Sequence, residues 1–227
     1  VPDSFLFSHK VTDTITIKHF PQRPRHGEFA GQANPHYLDP DLFLSSFLRP
    51  LEAHRNRTGL LILEFSRFYP RDYGHGREFV RDLDRFLAAL PTTEWDFGIE
   101  VRNPSLLQDA YFETLARHRV AHVYNQWQRM PSLAEQLALR PPQRSTTPIG
   151  ARLLLKNGRP YQEAVDTFQP YEAVREPQPA VRKAAAELIT ATTRQAPGRR
   201  AYLYVNNRLE GNALQTIAAI LDLLASS

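Results

Sequence analysis

Strand-like and helix-like segments alternate along almost the whole chain, and that alternation limits the folds open to it. Residues 5–11 are a short β-prone run, followed by a long loop rich in Pro, His and Gly. Residues 41–54 set Leu42, Phe43, Phe47, Leu48 and Leu51 at helical spacing, with Pro50 predicting a kink or a break. Residues 59–65 are nearly all apolar, the mark of a strand buried on both faces. The cycle then repeats. Helices are expected over 79–90, 106–118 and 132–139, and strands over 95–101, 120–124 and 149–155, with a loop from Pro141-Pro142 onward. After a polar stretch come a helix over 179–194, a strand over 201–205 and a closing helix over 213–225.

That makes six strands, each followed by a helix or a long connection, with no hairpin signal between them. Strands separated in this way pair in parallel, because an antiparallel neighbour needs only a tight turn. Two parallel architectures compete. A doubly wound sheet carries a Gly-rich phosphate fingerprint after its first strand, and none is present here. A closed β/α barrel has eight strands and typically about 250 residues. Six strands in 227 residues predict a parallel TIM-type β/α barrel, a single domain over 1–227 that lacks its first two βα units.

Composition sets outer limits. The chain is 42% hydrophobic and 23% charged, enough apolar material for a buried core. No apolar run approaches the roughly 18 residues of a membrane span, and residues 1–4 show neither an initiator Met nor the charged lead of a signal peptide. With no cysteine, disulfides, thiolate metal sites and cysteine nucleophiles are excluded together, which fits a cytoplasmic location. The net charge of +4 comes from a basic complement made up mostly of arginine. Those residues are scattered, and the one local cluster, Arg23-Pro24-Arg25-His26, lies in the loop after the first strand. A non-catalytic binding module, with nucleic acid as a candidate partner, therefore stands as the alternative to an enzyme acting on a small molecule.

Four segments resemble, in order, the YecE-like family, also called domain of unknown function 72. Phe5-Leu6-Phe7-Ser8-His9-Lys10-Val11 is similar to the family's third strand, and residues 59–70 to its fourth strand and the aromatic-Pro loop after it. Gly98-Ile99-Glu100-Val101-Arg102-Asn103-Pro104-Ser105 resembles its fifth-strand motif. Tyr202-Leu203-Tyr204-Val205-Asn206-Asn207 with Glu210-Gly211-Asn212-Ala213 resembles its terminal Asn-Asn…Glu-Gly motif. The resemblance spans essentially the whole chain and implies two βα units ahead of the segment matched at Phe5. It departs from the pattern at Glu64, near Asn125 and over residues 152–158, as a divergent branch does. The family has no settled activity, so the resemblance implies a fold and not a reaction.

Barrel enzymes keep their working groups at the C-terminal ends of the strands. Side chains alternate along a strand, so Gly98, Glu100 and Arg102 share one face. The same parity groups Ser8 with Lys10, Ile62 with Glu64, Arg152 with Lys156, and Tyr204 with Asn206. The barrel mouth is thereby expected to collect Lys10, Glu64, Glu100, Arg102, Asn125, Arg152 and Asn206. Among fixed cations a carboxylate stays ionised and can serve as a base, whereas the bland alternative is an ion-pair network tying strand ends together. We expect Glu100 as the acid/base, with Glu64, Arg102 and Lys10 completing the catalytic set of a hydrolase or isomerase acting on a small polar or phosphorylated molecule.

Ligand-binding roles are expected for Asn125, Arg152, Asn206, Asn207, Glu210, Gly211 and Asn212. In the terminal motif Gly211 permits an unusual backbone angle and Asn212 can cap the closing helix. No cofactor motif is found. His118 and His122 have ligand-like spacing but straddle a helix end and a strand, and no His-Glu-x-x-His pattern occurs, so no metal ligand set is assigned. A carboxylate-bound Mg²⁺ or Mn²⁺ at Glu64 and Glu100 is the open alternative.

Overall fold

The computed structural model describes residues 1–2, 4–140, 147–196 and 198–226. The loop expected from Pro141-Pro142 onward lies outside the described residues. The chain forms two compact units, Val1–Ala121 and His122–Ser227.

The first unit is built on three parallel strands, β1 (Phe7–Lys10), β2 (Thr58–Phe65) and β3 (Phe97–Val101), with β2 between the other two. The β1–β2 connection holds two short helices, α1 (Asp13–Thr16) and α2 (Pro40–Leu42). The helix expected over 41–54 does not run straight. It widens into a π-type turn at Phe43–Leu48 and tightens into 3-10 geometry at Arg49–Arg57, the change falling where Pro50 removes an amide donor.

Helix α3 (Gly76–Ala88) follows β2. It starts three residues before the expected position because Glu78 reaches back to accept from the amides of Gly74 (2.9 Å) and His75 (3.4 Å). Phe79, Leu83, Phe86 and Leu87 form its buried stripe. They pack with Leu61, Leu63 and Phe65 of β2 and with Phe97, Ile99 and Val101 of β3. Fully burying one such side chain stabilises by about 1.5–3 kcal/mol, so this layer is the unit's main cohesive element. After β3 a single 3-10 turn, Pro104–Leu106, precedes α4 (Asp109–Arg117), which together replace the continuous helix expected over 106–118.

The second unit also centres on three parallel strands, β4 (Ala121–Gln126, its first residue at the boundary), β5 (Ile149–Leu153) and β6 (Ala201–Val205), with β5 central. β5 ends at Leu153, two residues short of expectation. There the amides of Leu154 and Leu155 both turn onto the Gln126 carbonyl and the ladder stops. Helix α5 (Leu133–Leu139) starts at a reciprocal cap, in which Ser132 Oγ accepts from the Glu135 amide and Glu135 accepts from the Ser132 amide. The polar stretch after β5 contains an unforeseen helix, α6 (Tyr161–Phe168), whose buried face is just Ala164 and Phe168. Helices α7 (Pro179–Gln195) and α8 (Ala213–Ala225) match their expected ranges closely. They cover the face of the strands that presents Ile149, Ala151 and Leu153. Among the described residues no helix is long and apolar enough to cross a membrane.

Candidate functional site

On β2 and β3 the residues that pack against α3 alternate with Ile62, Glu64, Gly98 and Glu100 on the opposite face, as a period of two requires. Register sets Glu64 directly beside Glu100, with Ile62 beside Gly98 one step earlier. Arg102, two residues beyond Glu100, turns back over the pair. Its Nε lies 3.2 Å from Glu100 Oε1 and its Nη2 3.0 Å from Glu64 Oε2. Glu100 is fully buried, while Glu64 and Arg102 each keep 12% of their side-chain surface. One guanidinium thus joins two carboxylates on neighbouring strands, with charge-assisted bonds that fix its plane. Three of the four residues expected to be catalytic come together here.

Lys10 ends β1 and is engaged elsewhere. Its Nζ pairs with Asp13 Oδ1 at 2.7 Å on an exposed surface. The segment after it is tied to α3 by a polar and aromatic cluster that sequence reading missed. Tyr73 Oη lies 3.0 Å from Tyr37 Oη and 3.2 Å from an Asp82 oxygen, and Lys18 Nζ sits 3.5 Å from the Tyr73 ring centroid. Burial first, with the Asp82 charge adding to it, pushes both tyrosine hydroxyls well above their usual range. His19 Nδ1 meets Asp72 Oδ1 at 2.6 Å, so the loops following β1 and β2 are locked together.

In the second unit Asn125 and Arg152 are neighbours in register, and Tyr204 continues the row on β6. Asn125 is fully buried, and its backbone is bracketed by Gln136 of α5, which donates to the Asn125 carbonyl at 2.6 Å and accepts from its amide at 3.3 Å. The adjacent Gln126 accepts from the Leu133 amide and donates to Asn157. Neither glutamine was singled out from sequence, because an isolated Gln carries no motif.

The terminal motif is held in a dense hydrogen-bonded turn. Asn206 Oδ1 accepts from the Arg208 amide (3.0 Å) and Asn207 Oδ1 from the Ala213 amide (2.7 Å). Asn212 caps α8 through the Gln215 amide (2.9 Å), and its Nδ2 donates to the Tyr171 carbonyl (2.9 Å). Gly211 has φ +116°, and a Cβ there would lie 2.5 Å from the Ala173 carbonyl oxygen. Glu210 is fully buried and accepts from Arg182 Nε and Nη2, from Thr216 Oγ1 at 2.6 Å and from the Gln178 amide. Asn206 and Asn207 close the β6–α8 turn on itself, and Asn212 and Glu210 join it to the segment before α7 and to α7, which gives each of them a structural task.

His118 Nε2 lies 2.7 Å from Asp84 Oδ1, and this hydrogen bond is the chief cause holding the Asp84 carboxyl below its ordinary range. His122, on β4, is pushed down to about 3 by burial, which keeps its imidazole neutral. Among the described residues no group of three or more His, Asp or Glu side chains is placed to hold a metal ion. At Glu64 and Glu100 the Arg102 guanidinium supplies the positive charge that a bridging cation would otherwise bring.

The model of a protein family of unknown function, DUF72, matches residues 1–227. Two solved structures are similar over the same span. A DUF72 family protein from Enterococcus faecalis V583 superposes with a TM-score of 0.67 at 15% identity, covering 100% of this chain and 76% of that one. A DUF72 family protein from Thermotoga maritima MSB8 gives 0.63 at 17% identity, covering 99% and 75%. At such identities the likeness speaks for the fold alone. No curated protein matches the sequence.

Proposed function

The chain belongs to the DUF72 family, and from that premise we propose that it is an enzyme acting on a small polar, anionic molecule at the C-terminal ends of β2 and β3. The observation that carries this reading is the buried arrangement of Glu64 and Glu100 around Arg102. Arg102 is the anion-contacting group, since the planar guanidinium that bridges Glu64 and Glu100 is the cation an anion arriving at these strand ends meets. Exposure moves the acid/base role from Glu100, where sequence reading put it, to Glu64. Glu100 has no accessible surface, whereas Glu64 keeps some, as a group that meets a ligand must. Glu100 is then the positioning residue that orients Arg102. The chemistry such a set supports is hydrolysis or a proton-transfer isomerisation, with Glu64 carrying the proton.

A thermal-shift screen of the protein tests it, using neutral sugars, phosphorylated sugars and nucleotides, each with and without Mg²⁺. A specific ligand at 100 times its Kd stabilises by about 2.7 kcal/mol, which such a screen resolves easily. Glu64→Gln is expected to keep the stabilisation and lose turnover, whereas Arg102→Gln is expected to lose the stabilisation. Normal turnover by Glu64→Gln of every accepted substrate would remove the assignment.

A further inference from the structure

The loop that follows β5 makes a tight turn with an evident purpose for its ends. The Arg159 amide donates to the Lys156 carbonyl at 3.2 Å, and Gly158 takes φ +78° at the third position, the left-handed angle that this kind of turn reserves for glycine. Asn157 pins the turn by donating to the Met130 carbonyl, and the Gly158 amide donates to the Gln128 carbonyl. Such a turn brings its first and fourth residues together, and here both are cations. Lys156 Nζ and Arg159 Nη2 converge on one carboxylate, Glu176, each at 2.5 Å. Lys156 first and Arg159 second hold that carboxyl below its ordinary range.

The Arg159 guanidinium is only partly satisfied. Its Nε meets Glu163 at 3.1 Å and its plane lies over the Phe168 ring, 5.1 Å from the centroid, while Nη1 is buried without a hydrogen-bond partner. A buried charged N–H with no acceptor costs on the order of 1–3 kcal/mol, so a turn that maintains one is suited to receiving an acceptor from outside. A third cation stands close by. Arg208, from the loop after β6, packs its guanidinium 4.5 Å from the centroid of Tyr161, and that ring is 47% exposed. Tyr161 opens α6, whose N-terminus has no side-chain cap and so adds the positive end of a helix. Lys156 and Arg159 pair with two carboxylates, Glu176 and the 53%-exposed Glu163.

We infer that the turn of residues 156–159 is a binding site for the terminal phosphoryl group of a small molecule, with Glu176 occupying the anion's place when the ligand is absent. A phosphate has a terminal oxygen for each of Lys156 Nζ, Arg159 Nη2 and Arg159 Nη1, whereas the two oxygens of Glu176 serve only the first two. Glu176 sits on the connection between α6 and α7, and an arriving dianion displaces it from Lys156 by offering more charge to the same donors. A nucleic-acid backbone is the less suitable source, because Lys156 and Arg159 converge on one carboxylate and do not extend along a track. The inference goes beyond the acid/base reading of Glu64 and does not depend on it, since every residue involved lies in the second unit.

Titration of the full chain with inorganic phosphate, followed by ³¹P line broadening and calorimetry, tests the site. The wild type is expected to bind, Lys156→Ala to bind at least tenfold more weakly, and Glu176→Gln to bind several-fold more tightly because the competing charge is gone. Lys156 is 44% exposed along its side chain, so its truncation leaves the fold intact, as circular dichroism would verify. Three results would overturn the inference. These are no phosphate binding by either wild type or Glu176→Gln, equal affinity in Lys156→Ala, and affinity in Glu176→Gln that is no higher than in the wild type. Binding of an oligonucleotide that inorganic phosphate fails to displace would likewise replace it. Arg102→Gln, which removes the anion contact of the other site, should bind phosphate at this turn as the wild type does, which separates failure of this site from failure of the other.

Discussion

Replacing Arg182 by alanine would strip Glu210 of the one cationic contact it has among the described residues, in the turn before α8. The carboxylate is fully buried and takes three guanidinium contacts from Arg182, at 2.8, 3.0 and 3.1 Å. Removing one partner of a buried pair typically costs about 3–5 kcal/mol, because the remaining charge is left without compensation. Two features favour the lower end here. Thr216 Oγ1 and the Gln178 amide continue to donate to Glu210, and Arg182 is 19% exposed, so water can follow the deletion inward. The expected loss is therefore about 3 kcal/mol. Taking a urea m-value of about 2–3 kcal/mol/M for a chain of this size, the unfolding midpoint falls by about 1–1.5 M. The double variant Arg182→Met with Glu210→Gln removes both charges and keeps the acceptor for Thr216 and Gln178. It should recover about 2 kcal/mol of that loss, a coupling that a double-mutant cycle reads directly. A midpoint shift worth less than about 1 kcal/mol for the single variant, or a double variant as unstable as the single, would refute the view that this ion pair organises the turn.

Three further outcomes follow from the same structure. His122 is depressed to about 3 by burial, so below pH 6.5 the unfolded chain binds a proton that the folded chain refuses, and stability falls as pH drops from 6.5 toward 3. The slope is at most about 1.4 kcal/mol per pH unit and less for a ring that keeps some surface, and His122→Gln should flatten it in urea melts between pH 6.5 and 4.5. Gly211→Ala forces a Cβ to 2.5 Å from the Ala173 carbonyl oxygen at φ +116°, and should lower stability by at least about 1–3 kcal/mol, measured by thermal unfolding. Tyr73→Phe removes the hydroxyl shared with Tyr37 and Asp82 and should cost about 1 kcal/mol, while Tyr37 keeps its proton beyond pH 10 in an absorbance titration of the folded protein.

Strands and long helices were legible because their signal is periodic and local. The apolar run from Gly59 to Phe65 announced β2, and the spacing of Phe79, Leu83, Phe86 and Leu87 announced α3. The misses occur where the signal is not local. The region after α2 combines good helical spacing with Pro50, and which helical geometry prevails on each side depends on packing of Phe43 and Leu48 that no window reveals. Helix α6 buries only Ala164 and Phe168, too little periodicity to stand out from the polar stretch around it. The end of β5 is set by a carbonyl on β4, a contact made across the sheet.

The site divides along the same line. Parity along β2 and β3 was sufficient to group Glu64, Glu100 and Arg102, because alternation and register are properties of the backbone. Parity says which face a side chain occupies and nothing about depth, so it could not tell the sealed Glu100 from the partly open Glu64. Nor could it say what a polar residue at a strand end is bonded to. Lys10 shares the expected face and still finds Asp13 three residues on. The Asn-Asn…Glu-Gly segment looked like a binding loop because Asn, Glu and Gly are the residues that bind ligands. They are equally the residues that close turns and cap helices, and here the Asn207, Asn212 and Glu210 side chains all bond to the chain itself. The cations of the 156–159 turn carry the opposite lesson. Lys and Arg three apart in a loop read as solvated charge, and only the fold brings Glu176 in from another loop to pair with both. A motif of turn-forming residues is therefore weaker evidence for a ligand than a buried charge whose donors outnumber their acceptors, and Arg159 is where this chain shows that imbalance.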